Sequence, residues 1–206
     1  MTLPTYNVNL RALPAVDSAG ITRIVTPVIL IVAGVSGTGK TTIGALLAGR
    51  LRWRFADADT FHPEANVAKM RAGIPLTDAD REPWLRAITA WIDERIAANE
   101  SGVITCSALK RSYRDFLLDG RPAATMVFLQ VSREILERRL LTRPGHFFPG
   151  KLLNSQLDTL EPPAPDEHVH TVLAEGGAAE TADQVIAALW PHGEPNPEGA
   201  PVPGVL

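Results

Sequence analysis

At 206 residues the chain has room for one ordinary domain with a sizeable core. A hydrophobic fraction of 45%, a charged fraction of 21% and a net charge of −3 are those of a soluble globular protein, with no reason to expect a nucleic-acid or anionic-membrane partner. A single cysteine, Cys106, excludes an internal disulfide and a cysteine-based metal site and fits a reducing cytoplasm.

Residues 1–26 carry Pro4, Pro14, polar residues and no sustained period. They read as an extension, partly disordered or lying on the domain surface, without the apolar run of a signal peptide. Val28 to Ala33 is a short β-branched strand, and no apolar run reaches the roughly 18–20 residues that span a bilayer. The strand meets Gly34-Val35-Ser36-Gly37-Thr38-Gly39-Lys40-Thr41-Thr42, which opens into a helix running to Leu51. The spacing Gly34-x-x-x-x-Gly39-Lys40-Thr41 between a strand and a helix is the P-loop pattern. Its glycines let successive N–H groups turn inward around a polyphosphate, and the helix adds its positive N-terminal end. Lys40 suits the β- and γ-phosphates, and the Thr41 hydroxyl suits Mg²⁺.

Arg54 to Asp59 reads as a short strand ending in acids. A helix opens at His62-Pro63-Glu64 and closes at Gly73. Thr77 to Asp80 caps a long helix in which Trp84, Leu85, Ile88, Trp91, Ile92 and Ile96 recur at helical spacing. Val103 to Cys106 is a buried strand, Tyr113 to Leu118 a helix, and Thr125 to Val131 another strand. Ser132 caps a helix over Arg133 to Arg143, Pro144 to Gly150 interrupts, and Lys151 to Leu160 resumes. Val169 to Leu173 is a last strand, and Thr181-x-x-Gln184 suggests a capping box for the final helix. From Pro191 to Leu206, five of sixteen residues are proline and three are glycine, a tail that breaks regular structure. The catalytic unit is therefore expected over 27–190. Alternating apolar strands and helices imply an α/β fold with a mainly parallel sheet covered on both faces. Ligands then sit beyond the C-terminal strand ends, where the P-loop, Asp57, Asp59 and the Ser107–Lys110 segment meet.

Strand alternation puts Asp57 and Asp59 on one face at the crevice mouth. Phosphoryl transfer to an alcohol needs a metal on the phosphates and a carboxylate to orient or deprotonate the hydroxyl, so two acids can divide those tasks. Arg139 and Arg143 share a helical face beside the Pro–Gly segment. They are either a solvated basic face or cations that close over a transferring phosphoryl group as part of a lid over about 139–156, and the residue types leave both open. Trp84 and Trp91 read as core. Lysine is scarce, four against sixteen arginines, and Lys40, Lys69 and Lys110 are among the four. No spacing among His146, His168, His170 and His192 makes a metal site.

From Ile31 to Trp190 the chain resembles the gluconate kinases (gluconokinases), P-loop kinases of the nucleoside-monophosphate-kinase-like group. The P-loop is shared with many families. More particular are Asp57-Ala-Asp59-Thr-Phe-His62-Pro63, Pro75-Leu76-Thr-Asp78-Ala-Asp80-Arg81-Glu-Pro83-Trp84-Leu85 and Cys106-Ser107-Ala108-Leu109-Lys110, and the resemblance also takes in Arg143-Pro-Gly-His146 and Ser155-Gln156. The resemblance implies a three-layer α/β/α P-loop fold and ATP-dependent, Mg²⁺-requiring phosphorylation of D-gluconate to 6-phospho-D-gluconate by a cytoplasmic enzyme, commonly a homodimer. Asp59 would hold or deprotonate the acceptor hydroxyl and Asp57 would order the metal's waters. Lys110 and Arg114 are candidates for the substrate carboxylate. His62, Lys69 and Arg81 would line the same pocket, and Arg139 and Arg143 match lid arginines. The rival expectations are a kinase of another small hydroxy acid such as shikimate, which shares the P-loop and paired aspartates, and a nucleotide-binding regulator without turnover.

Overall fold

The computed structural model describes residues 26–141 and 150–191, and two short strands before them, Ala15–Val16 (β1) and Thr22–Arg23 (β2). These two pair antiparallel, Ala15 opposite Arg23, within the stretch read as an extension. Then follow β3 (Ile29–Ala33), α1 (Lys40–Leu51), β4 (Arg54–Asp57), a 3₁₀ turn (Ala58–Phe61), α2 (Glu64–Arg71) and α3 (Asp78–Ala97). The remainder is β5 (Gly102–Cys106), α4 (Arg111–Leu118), β6 (Ala124–Gln130), α5 (Arg133–Leu141), α6 (Gly150–Thr159), β7 (Val169–Leu173) and α7 (Ala178–Leu189).

β3 to β7 form one sheet in the order β4-β5-β3-β6-β7, with every neighbouring pair parallel. The expected α/β architecture is therefore present. β3 is central and wholly buried, which explains why Ile29 to Ala33 is apolar without alternation. Its odd residues Ile29 and Ile31 face Trp84, Ile88, Ile92 and Leu117 of α3 and α4, and its even residues Leu30 and Val32 face Leu47, Leu51, Val185 and Ile186 of α1 and α7. Gly44 lets α1 lie close on the sheet, because a Cβ there would stand 2.8 Å from Thr105 Cγ2. The chain leaves β3 toward β4 and leaves β5 toward β6, so the connections diverge at the C-terminal ends of β3 and β5. Such a divergence opens a ligand crevice. The two loops touch there, Gly34 N donating to Ser107 O at 3.3 Å.

Local signals hold well at two helix ends. Gly73 has φ +71°, and Gly73 N and Ile74 N donate to Met70 O and Lys69 O at 3.0 and 2.9 Å, a Schellman closure of α2. Thr77 and Asp80 form the expected reciprocal capping box on α3. Two expectations are corrected. β4 stops at Asp57, because its carboxylate accepts the Asp59 N–H at 3.1 Å and turns the chain into the 3₁₀ segment. Asp57 and Asp59 thus reach the crevice by a capped turn, not by strand alternation. At the other end, α7 starts at Ala178 with Gly177 as its N-cap, so Thr181 lies inside the helix and makes no capping box. Its buried hydroxyl instead donates back to Gly177 O at 3.0 Å. α5 is described to Leu141, and Arg143, His146 and the Pro144–Pro149 part of the expected lid lie outside the described residues.

Candidate active site

The P-loop is built as its glycines require. Gly34, Gly37 and Gly39 have φ of +140°, +88° and +93°, and a Cβ on Gly34 would stand 2.8 Å from the Leu129 carbonyl oxygen. Thr38 is buried and its hydroxyl donates to Val35 O at 2.9 Å. Lys40 Nζ donates to the same carbonyl, also at 2.9 Å, so the lysine folds over the loop it belongs to. Thr41 Oγ1 donates to Asp57 Oδ2 at 2.9 Å, and Thr105 Oγ1 donates to Asp57 Oδ1 at 3.0 Å. With the Asp59 N–H, the Asp57 carboxylate accepts three hydrogen bonds and joins the tips of β4 and β5 to α1. Thr42 is exposed on the first turn of α1.

Beside the loop lies a cavity of about 390 Å³, within the range of small-ligand sites. Ser36 of the P-loop and Asp59 both line it, as do His62, Arg81, Trp84 and Tyr113. Ser107, Ala108 and Leu109 form one wall and α6 contributes Ser155 and Gln156. Gln156 Oε1 also accepts the Ser36 N–H at 2.7 Å, fastening α6 to the P-loop.

His62 lies flat on Trp84, ring centroids 4.4 Å apart and planes 11° apart. Trp84 Nε1 donates to Ala58 O at 2.6 Å, so one indole holds both the histidine and the turn that carries Asp59. Burial lowers the His62 pKa, against the raising influence of Asp59 and with the lowering influence of Arg81. Burial therefore favours the neutral imidazole. Asn66 Nδ2 donates to Asp80 O at 2.7 Å, which settles that amide's orientation. Its 3.4 Å contact to His62 Nδ1 makes Nδ1 the acceptor and leaves the proton on Nε2.

Of the cations expected at the pocket, Arg81 reaches it. Its side chain is 14% exposed, and Nη1 donates to Leu76 O at 2.6 Å and to Tyr113 Oη at 3.5 Å. Lys69 and Lys110 lie outside the lining. Lys69 Nζ pairs with Asp80 at 2.7 Å, tying α2 to the cap of α3. Lys110 Nζ pairs with Asp78 at 2.7 Å, and Tyr113 Oη donates to the same carboxylate. Arg114 is a correction. Its guanidinium is wholly buried behind the cavity wall and bound to Glu167, and it does not line the cavity, so the expected contact with a substrate carboxylate does not fit. Arg139 does approach the P-loop, Nη1 donating to Thr38 O at 3.4 Å and Nη2 to Glu175 O and Gly176 O at 3.3 Å each. The topology expected from sequence brings the Ser107–Lys110 segment to the crevice and the resemblance includes Ser155-Gln156, but neither gives an individual role to Trp84, Tyr113, Ser107 or Gln156. Helical spacing assigns Trp84 to the core, where it also belongs. Cys106 is buried beneath the site, its thiol pushed up to about 12 mainly by desolvation, and is chemically inert.

The α3 cap carries a pH signature. Asp80 is lowered to about 2 by the hydrogen bond from Lys69 first, then by the backbone and hydroxyl of Thr77. An unfolded aspartate titrates near ~3.9, so the contribution is complete above that value and is lost as pH falls toward about 2. Asp80→Asn should therefore lower the melting temperature at pH 7, and the gap from wild type should shrink as melts are repeated down to about pH 2.5. A gap independent of pH would mean that the carboxylate's charge contributes nothing.

A family model described as shikimate kinase matches residues 36–189. A gluconokinase of Gluconobacter oxydans (strain 621H) is 51% identical over 166 residues, covering 81% of this chain and 91% of that protein. The chain belongs to the gluconokinase family. Two solved structures are similar over most of their length. A gluconokinase from Sinorhizobium meliloti 1021 superposes with a TM-score of 0.71 at 43% identity, covering 80% of this chain and 92% of that one. An unliganded sugar kinase from Janibacter sp. HTCC2649 gives 0.76 at 41% identity, covering 85% and 99%. The family-model match over 36–189 takes in every residue that lines the cavity and the described part of α5 and α6. Among the described residues, no helix is long and apolar enough to cross a membrane.

Proposed function

We propose that this member of the gluconokinase family transfers the γ-phosphoryl group of ATP to the 6-hydroxyl of D-gluconate, giving 6-phospho-D-gluconate and ADP. The observation that carries the reading is a single cavity lined by both Ser36 of the phosphate loop and Asp59. Donor and acceptor sites are thereby contiguous, as in-line transfer demands.

In this reading the loop N–H groups and Lys40 hold the β- and γ-phosphates. Asp59 takes the proton of the attacking hydroxyl as its oxygen bonds to the γ-phosphorus and the bond to the ADP oxygen breaks. Arg139, already at Thr38, neutralises charge on the transferring group, joined by Arg143. His62 and Arg81 face the sugar acid, the neutral imidazole offering a hydroxyl-matched hydrogen bond and the guanidinium a charge. Thr41 Oγ1 and Asp57 are hard oxygen donors side by side at the helix start, a set that suits Mg²⁺ held largely through phosphates and water. The ion would supply charge neutralisation on the β- and γ-phosphates. The working unit is 27–190, with 1–26 and 191–206 outside the chemistry, and the protein acts in the cytoplasm as a homodimer. Light scattering on a sizing column tests the assembly.

ADP release measured across gluconate, shikimate, glycerate and nucleoside monophosphates decides the activity. Gluconate alone should support fast release. Preference for shikimate would overturn the substrate, and silence toward all of them would favour a regulator.

A further inference from the structure

We infer that the buried Arg114–Glu167 pair is a positioning element for the acceptor site, holding the Ser107–Leu109 wall in its shape without touching substrate. The inference deepens the proposed activity and rests on it for its kinetic readout. Arg114 Nε and Nη2 meet Glu167 Oε2 and Oε1 at 2.6 and 2.8 Å, with side chains 1% and 3% exposed. That bidentate pair alone would explain a structural salt bridge. The third nitrogen explains more. Nη1 donates to the carbonyls of Ala108, Leu109 and Glu161 at 3.2, 3.3 and 2.9 Å.

Ala108 and Leu109 line the cavity, and Ala108 holds φ +43° without being glycine. A left-handed alanine persists only where its surroundings over-determine it. Here the guanidinium grips the Ala108 carbonyl directly. The clamp also reaches the other wall. Glu161 N donates to Leu109 O at 2.9 Å and Glu161 Oε2 accepts the Arg111 N–H at 2.7 Å, so the segment that follows α6 is stapled to the same loop. α6 in turn holds Ser36 of the P-loop through Gln156. Glu167 fixes the orientation of the fork, and its Oε1 accepts the Ala164 N–H at 2.8 Å. Lysine, a point charge with no planar fork, cannot reproduce this pattern. Ser107, Ala108 and Leu109 are thereby set relative to Asp59 across the cavity. A small displacement of such a wall misaligns an acceptor hydroxyl, and misplacement by about 1 Å costs on the order of a hundredfold in rate.

The test removes the clamp while keeping the volume. The double variant Arg114→Met/Glu167→Leu replaces a buried ion pair by apolar side chains of similar size, a change that proteins often tolerate in stability. Its kcat/KM for gluconate should fall at least about tenfold while KM for ATP stays within about twofold, and Arg114→Lys should lie between the two enzymes. Hydrogen exchange read without substrate should accelerate at residues 107–110 and leave α1 unchanged. A folded double variant with wild-type exchange at 107–110 overturns the inference, as does one whose KM for ATP rises as much as its kcat/KM for gluconate falls. Should the double variant not fold, Glu167→Gln keeps the shape and weakens the fork, and the same two readouts apply to it, with unchanged exchange and unchanged gluconate kcat/KM counting against. A wild-type enzyme silent on gluconate would sink the proposed activity, while the exchange measurement still judges the clamp.

Discussion

Asp59→Asn should lower kcat about a thousandfold while leaving nucleotide affinity within about twofold of wild type. The amide keeps the size of the carboxylate and cannot take a proton. Asp59 lies on the cavity side of a 3₁₀ turn whose backbone is fixed elsewhere, by the Asp57 carboxylate on its own N–H and by Trp84 on Ala58 O. The substitution therefore removes chemistry and spares the turn. The P-loop, 2.9 Å contacts included, does not depend on the Asp59 side chain. Initial rates at saturating ATP and gluconate, with nucleotide binding followed by calorimetry, measure both quantities. An Asn variant of normal kcat would remove Asp59 from the chemistry.

Lys40→Ala is the second large effect, with kcat/KM expected to drop about 10²–10³-fold, the usual consequence of deleting one preorganised charge from a transition-state site. Lys40 bonds the Val35 carbonyl in the structure, so it has two duties to separate, shaping the loop and gripping phosphate. The two separate on the melting curve. Loss of loop shape alone would show as a lower melting temperature with little kinetic change, because the P-loop is packed beneath by buried Thr38 and Val35. Loss of phosphate contact leaves the melt nearly unchanged and falls on catalysis. Tenfold or less in kcat/KM would assign the lysine to structure.

In the proposed reaction the chemistry rests on very few side chains and most of the cavity is left to recognition. Apolar residues such as Val67, Met70 and Leu76 line it beside the polar groups. The paired states of Lys69 and Lys110 fit that division. Each is spent on an acid of the α3 cap, Asp80 and Asp78, and so fixes the helices that frame the cavity.

What the sequence by itself determined was carried by short spacing, though not every short spacing held, since Thr181 reads as a cap and lies inside α7. Gly34 to Thr41 between an apolar run and a helix specifies a phosphate loop, since the required backbone angles and the helix end arise within eight residues. Gly73 and the Thr77/Asp80 box mark helix ends for the same reason, and the unalternating Ile29 to Ala33 marks a strand buried on both faces. Only the tertiary structure decided which charged side chains face the cavity. Arg114 and Arg81 are alike as sequence, yet Glu167, 53 residues away, draws Arg114 into the interior while Arg81 remains at the pocket. Asp57 and Asp59 were legible as a pair but not as a capped turn, because the outcome hangs on one carboxylate accepting the Asp59 N–H instead of continuing the ladder. Backbone periodicity is local physics and can be read along the chain. A charge's partner is set by distance through space, and that becomes known only when the sheet has brought the strand ends together.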